Sequence, residues 1–185
     1  MRTQRNIVRA AIDLIEAGNP RPTSRQVARQ AGVSKRLIFH HFHRLEVVIR
    51  LAAELQAARH RSFITIIPAH GPLAARIGAI CQQRRKLFEA TGPVLRVAQA
   101  RAFDTPGLTE VLGRQRAVLR RQLEVTLGPE IRAHEGESEL LVDILEYTTG
   151  WQYWLALRFE TGLPASAAER AMASAVNELL SRRDR

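Results

Sequence analysis

The stretch from Thr23 to Phe42, TSRQVARQAGVSKRLIFHHF, constrains the fold more than any other part of the chain. Thr23 and Gln26 are spaced as a capping box. The hydroxyl of the first takes the amide three residues on, and the Gln side chain returns to the Thr amide. The helix that follows sets Val27, Ala28 and Ala31 on one face. Gly32, four residues after Ala28, is free to take the left-handed conformation that ends a helix. Ser34 caps the next one, with Val33 and Ile38 placed as a hydrophobic staple. A second short helix is expected from Lys35 to about His41, closed by Phe42. Two helices joined by so short a turn cross steeply, and Ala28 is small where they approach.

The remaining pattern is helical nearly throughout. Ile7, Val8, Ala11, Leu14 and Ile15 recur at helical spacing and stop at Gly18 before Asn19-Pro20. A longer helix is expected from about Leu45 to about Thr65, ending before the Pro68–Pro72 break. Further helices are expected over roughly 73–91, 94–103, 107–127, 137–161 and 166–182. Their breaks fall at Thr91-Gly-Pro93, Asp104–Gly107, Gly128-Pro129, Gly136 and Gly162–Pro164. No alternating apolar run suits a strand, and no internal repeat is visible. The class expected is all-α, with about nine helices: an N-terminal three-helix domain containing a helix-turn-helix over residues 1–48, then a helical domain over residues 49–185.

Charge separates the two parts. Residues 1–50 hold 10 Lys and Arg against 3 Asp and Glu, whereas residues 51–185 hold 18 against 15. A cationic excess confined to the segment with the helix-turn-helix suits a polyanionic partner. The preference for Arg, 26 to 2 Lys, is equally what a GC-rich genome produces. The second helix of the motif turns Lys35, Arg36, Leu37, Phe39, His40 and His41 outward, where cations meet phosphates and Arg reads guanine edges. An ordinary helical corner does not call for that set. One cysteine, Cys81, excludes an internal disulfide and fits a reducing cytosol. No apolar run is long enough for a signal peptide or a membrane span, so a cytoplasmic chain with no membrane partner is expected.

Ile7–Ile15, Thr23, Val27-Ala28, Ala31–Lys35 and Phe39–Phe42, in that order, resemble the N-terminal domain of the tetracycline-repressor (TetR) family. The resemblance covers about residues 5–50. It implies an all-α homodimeric transcription regulator, usually a repressor, that binds a palindromic double-stranded DNA operator. It also implies a C-terminal domain that binds a small-molecule effector and releases DNA. Carried over by position, Thr23, Arg25, Ser34, Lys35, Arg36, Leu37, Phe39, His40, His41 and Arg44 are the implied DNA-binding residues. Three positions depart from the family's pattern. Arg36-Leu37 stand where a small polar pair is common, Phe39 where Tyr is common, and Leu45 where Lys is frequent, with Arg44 beside it. Two other functions stay open: sequence-indifferent DNA binding, and a protein-interaction module that keeps the fold, for which Phe39 and Leu45 leave room.

Other constellations are weaker. His40, His41 and His43 lack a carboxylate or Cys partner for a metal site, so no metal and no cofactor is expected; their titration near neutrality makes pH-dependent DNA affinity an expectation. Tyr147, Trp151 and Trp154 fall on one stripe of a predicted helix. With Phe88 and Phe103 they are the candidate lining of an effector pocket, core packing being the plainer use. The Ala-rich last helix offers Ala168, Met172, Ala175, Val176 and Leu179 as a close-packing dimer seam. There is no Gly-rich phosphate loop and no nucleophile elbow, and Asp143 with Glu146 carries no mechanism alone, so no enzyme is expected.

Overall fold

The computed structural model describes residues 2–134 and 137–181, and among them every regular element is helical. The helices are α1 (Arg2–Glu16), α2 (Ser24–Ala31), α3 (Lys35–Phe42), α4 (Leu45–Arg59), α5 (Leu73–Ala100), α6 (Leu108–Thr126), α7 (Gly128–Arg132), α8 (Ser138–Thr148), α9 (Trp151–Leu155) and α10 (Ala165–Ser181). A 3-10 turn lies at Arg61–Phe63 and a π-helical turn at Ala156–Glu160. The expected all-α class is what the chain adopts.

Two expected boundaries fall elsewhere. The break at Thr91–Pro93 is absent: α5 runs through Pro93 without interruption. Proline there removes one amide donor, but Val94, Val97 and Ala98 keep helical spacing on a buried face just beyond it. Tertiary burial outweighs one lost hydrogen bond. Conversely, the helix expected over 137–161 is broken at Thr149-Gly150. Gly150 is extended, at φ −86° and ψ 173°. A Cβ on it would lie 2.8 Å from the Glu146 carbonyl oxygen, so only glycine lets the chain pass so close. The break expected at Gly136 lies outside the described residues. The helix expected to reach about Thr65 ends at Arg59, and no helix forms from 64 to 72.

The chain divides into two compact units. One comprises the chain up to Arg61 with Thr91–Gln115; the other comprises Ser62–Ala90 with the chain from Arg116 on. The first has a continuous apolar core of Ile7, Ala11 and Ile15 from α1, Val27 and Ala28 from α2, Ile38 and Phe42 from α3, and Val48, Ile49 and Ala52 from α4. Val94, Val97, Ala98, Leu108 and Val111 belong to the same core. Gln56 of α4 is buried with them and donates to Glu16 at 2.6 Å, fixing α4 against the end of α1.

The second unit buries Ile77, Ile80, Cys81, Leu123, Leu127, Leu145, Met172 and Val176. Burial pushes the Cys81 thiol up to about 12, so it stays protonated and inert. Ion pairs stitch its helices: Arg120 meets Asp143 at 2.5 Å and Glu146 at 2.9 Å, and Arg85 meets Glu169 at 3.2 Å. The most sheltered is Arg76–Glu130, whose two bonds measure 2.9 and 2.5 Å. The guanidinium holds the Glu130 carboxyl below the usual range. A depressed carboxyl adds stability above its ordinary pKa, and that stability is lost as pH falls through the folded value. Glu130→Gln is therefore expected to cost about 2–4 kcal/mol near neutrality, since it strands a buried cation. The deficit should shrink below about pH 4. Urea denaturation at pH 7 and pH 3.5 checks both parts.

Candidate nucleic-acid interface

The expected local chemistry between α2 and α3 is present. Thr23 has extended backbone; its hydroxyl accepts from the Gln26 amide at 3.3 Å, and its own amide donates to Gln26 Oε1 at 2.8 Å. Gly32 sits at φ 65° and ψ 34°, and the Val33 amide donates to the Ala28 carbonyl at 3.0 Å. This left-handed close satisfies the end of α2 and turns the chain in two residues. Ser34 accepts from the Leu37 amide at 3.2 Å and starts α3. Ile38 and Phe42 anchor α3 in the core, so its opposite face is presented outward.

Of the ten predicted DNA-binding residues, Thr23, Arg25, Ser34, Lys35, Arg36, Phe39, His40 and Arg44 are exposed, and Leu37 and His41 are half-buried. Lys35 Nζ lies 5.6 Å from the Phe39 ring centroid, a cation–π contact that leaves the ammonium solvated. His40 and His41 meet edge to face at 5.3 Å. The hydroxyls of Thr23 and Ser34 are already engaged as helix caps. Every ion pair of the described residues involves side chains from Arg50 onward. Arg25, Lys35, Arg36 and Arg44 thus stand without an acidic partner among those residues.

One feature of this surface carried no sequence cue. His43 has φ 51° and ψ −40°, the one non-glycine residue at positive φ among those described. The Arg44 amide bonds back to the Phe42 carbonyl, closing a γ-turn of the rare positive-φ kind. The turn reverses the chain between α3 and α4 and leaves Arg44 exposed at the N-cap of α4. That helix has no side-chain cap, so its first amides remain directed outward. Nothing in the residue types His43-Arg44 announces such a turn, which glycine would normally occupy.

The other predicted sites are scattered. Phe88, Trp151 and Trp154 come together in the second unit: Phe88 meets Trp151 at 5.6 Å, edge to face, and Trp154 at 6.0 Å. All three are buried. Phe103 belongs to the first unit and is 99% exposed, and Tyr147 is 61% exposed, so neither joins that cluster. The break at Gly150 takes Tyr147 off the stripe it was expected to share with Trp151 and Trp154. On α10, Ala168, Met172 and Val176 are buried within the chain itself, while Ala175 and Leu179 are half-buried. Asp143 and Glu146 serve as partners of Arg120 and Arg116. Among the described residues no helix is long and apolar enough to cross a membrane.

A capped helix, a left-handed glycine turn and a second helix whose basic face is free define a helix-turn-helix within an all-helical chain. Residues 7–43 match the model of the family described as bacterial regulatory proteins, tetR family. No curated protein matches the chain by sequence. Two solved structures share its fold. One is a transcriptional regulator from Rhodococcus sp. Rha1, with a TM-score of 0.74 and 20% identity over 96% of this chain and 95% of that one. The other, from Mesorhizobium loti MAFF303099, is described as a TetR-family transcriptional regulator; its TM-score is 0.67 at 20% identity, covering 97% of this chain and 96% of that one. The chain shares the all-helical fold of these two structures.

The γ-turn at His43 supplies a test of local strain. A side chain at positive φ with negative ψ costs of order 1 kcal/mol that glycine does not incur. His43→Gly is expected to raise the unfolding midpoint by about 2–5 °C, and His43→Val to lower it. Thermal unfolding followed by circular dichroism compares them.

Proposed function

We propose that the chain is a ligand-responsive transcriptional repressor that binds a palindromic operator as a homodimer and is released by a small-molecule effector. Residues 1–48 bind DNA in this reading, and residues 49–185 take the effector and pair the protomers. The observation that carries it is the set of cations on and beside α3, Arg25, Lys35, Arg36 and Arg44, none of which is ion-paired to an acidic side chain among the described residues. Phosphate is the counter-charge they lack. The uncapped start of α4 adds amides that favour an anion. In a palindrome the two α3 helices enter successive major grooves, roughly 34–36 Å apart. An effector that favours a different spacing weakens DNA binding by its differential affinity for the two states.

Pairing of protomers is supported by apolar side chains that the single chain leaves accessible. Leu140 and Tyr147 lie two turns apart on α8 and are both exposed, and Ala175 and Leu179 of α10 are half-buried. Arg36 is the residue best suited to guanine, and Leu37 and Phe39 suit a thymine methyl.

Fluorescence anisotropy on the DNA upstream of the chain's own gene, against a scrambled duplex at about 150 mM salt, is the direct test. A preference of about a thousandfold is expected. Lys35→Ala and Arg36→Ala should each weaken binding by about tenfold or more, and the salt slope should flatten with each phosphate contact removed. Equal affinity for both duplexes overturns operator recognition in favour of sequence-indifferent binding.

A further inference from the structure

Two arginines are buried in the second unit, and the chain treats them differently. Arg76, in the first turn of α5, is neutralised by Glu130 and donates as well to the carbonyls of Thr126 at 2.8 Å and Gly71 at 3.3 Å. Arg84, two turns along the same helix, is buried completely, at 0% exposure. Its Nη1 donates to Gln122 Oε1 at 2.7 Å and its Nη2 to the Leu119 carbonyl at 3.0 Å. Both acceptors are neutral, and Nε has no partner at all. None of the ion pairs among the described residues includes Arg84. Desolvation lowers its guanidinium to about 10, which still leaves it charged at neutral pH.

A buried cation without a counter-ion is costly, and this fold neutralises Arg76 a few residues away. The cost is reasonable where the counter-charge arrives with a ligand. The surroundings indicate what the rest of that ligand is. One turn beyond Arg84, on the same face of α5, stands Phe88, packed on Trp151 and Trp154. One face of α5 thus carries a charged group bonded to α6 and, one turn on, an aromatic ring packed on Trp151 and Trp154. Next to Arg84 on the other flank is a cover without helix, residues 64–72. It is tied down by Thr65 to Gln83 at 2.9 and 3.0 Å, by Gln122 to the Thr65 carbonyl, and by Thr126 to the Ile67 carbonyl at 3.0 Å. Side-chain amides and a hydroxyl hold its first half, and Arg76 holds the Gly71 carbonyl at its far end.

We propose that Arg84 is the anion-recognition residue of the effector site, and that the effector is a carboxylate with an apolar, aromatic or aliphatic body. The carboxylate supplies the charge and the acceptor that Nε lacks, and the body lies toward Phe88, Trp151 and Trp154. Entry is past residues 64–72. This assignment rests on the reading of the chain as an effector-responsive regulator, and it names the chemical class of the effector.

The test compares phenylacetate, 4-phenylbutyrate, octanoate and decanoate, each against its own primary amide, by thermal unfolding and calorimetric titration of the full chain. At least one carboxylate is expected to raise the midpoint by several degrees at millimolar concentration while its amide does not. Arg84→Met keeps the volume and removes the charge. It is expected to unfold at or above the wild-type temperature without ligand, and to bind the active carboxylate at least about tenfold more weakly. A marked fall in the midpoint of Arg84→Met makes Arg84 a structural residue and overturns the proposal. So does an undiminished carboxylate response in that variant, or a set of amides that act as well as their acids. Anisotropy on upstream DNA with the same preparations separates this inference from the one it rests on. Operator binding with no carboxylate effect removes only the anion site. A carboxylate response that needs Arg84, in a chain that binds no DNA, removes only the regulator.

Discussion

The donation from the Val33 amide to the Ala28 carbonyl, across a left-handed Gly32, is the bond on which the basic outer surface of α3 depends. It ends α2 at Ala31, with only Gly32, Val33 and Ser34 before α3 begins at Lys35, so the two helices share Val27, Ala28, Ile38 and Phe42 in one small core. With Ile38 and Phe42 held there, Lys35, Arg36, Phe39 and His40 have only the outer face left to occupy. Eight residues are too few to hold a helix in water by propensity alone. The caps at Thr23 and Ser34 and the anchors of the shared core make α3 persist, and the exposed face adds nothing to that stability. The outer residues are accordingly free to vary while the turn stays as it is.

Much of this was legible in the sequence because its causes are local. A capping box, a turn glycine and a staple act within four residues of one another, and each left a residue type that allows few alternatives. The remote features were not legible for the matching reason. Pro93 reads as a break until the burial of Val94, Val97 and Ala98 is known. Gly150 reads as an ordinary helical residue until the Glu146 carbonyl is placed 2.8 Å from its missing side chain. Phe103 and Tyr147 share a composition with Phe88 and Trp151 but not a location, and aromatic type alone does not distinguish a wall from an exposed ring. Burial of Ala168, Met172 and Val176 is likewise a property of what packs on α10, which periodicity does not specify.

His43 marks the boundary between the two kinds of information. A glycine there would have advertised the turn. The histidine conceals it, and the strain of a β-carbon at φ 51° is carried by the anchoring of α3 and α4 on either side. The strained residue lies between the helix that faces outward and the one whose amides are uncapped. A rigid, costly turn fixes the angle between those two groups better than a flexible one, at the expense of some stability.

The distribution of arginine completes the account. The chain uses one residue type for opposite purposes, and what separates them is the presence of an acid. From Arg50 onward several guanidinium groups are consumed within the fold: Arg76 by Glu130, Arg85 by Glu169, Arg120 by Asp143 and Glu146. In the first fifty residues acids are scarce, and the cations on and around α2 and α3 remain available to an external anion. Exposed cations lose little by waiting in water for that anion, because solvent screens them at small cost. Arg84 has no such shelter. It shares with the residues of α3 the lack of an acidic partner, and with Arg76 a place in the interior, and no other described arginine combines the two. Surface charge without an acidic partner is cheap to keep in water, whereas interior charge without one is costly, and that cost sets Arg84 apart from every other described arginine.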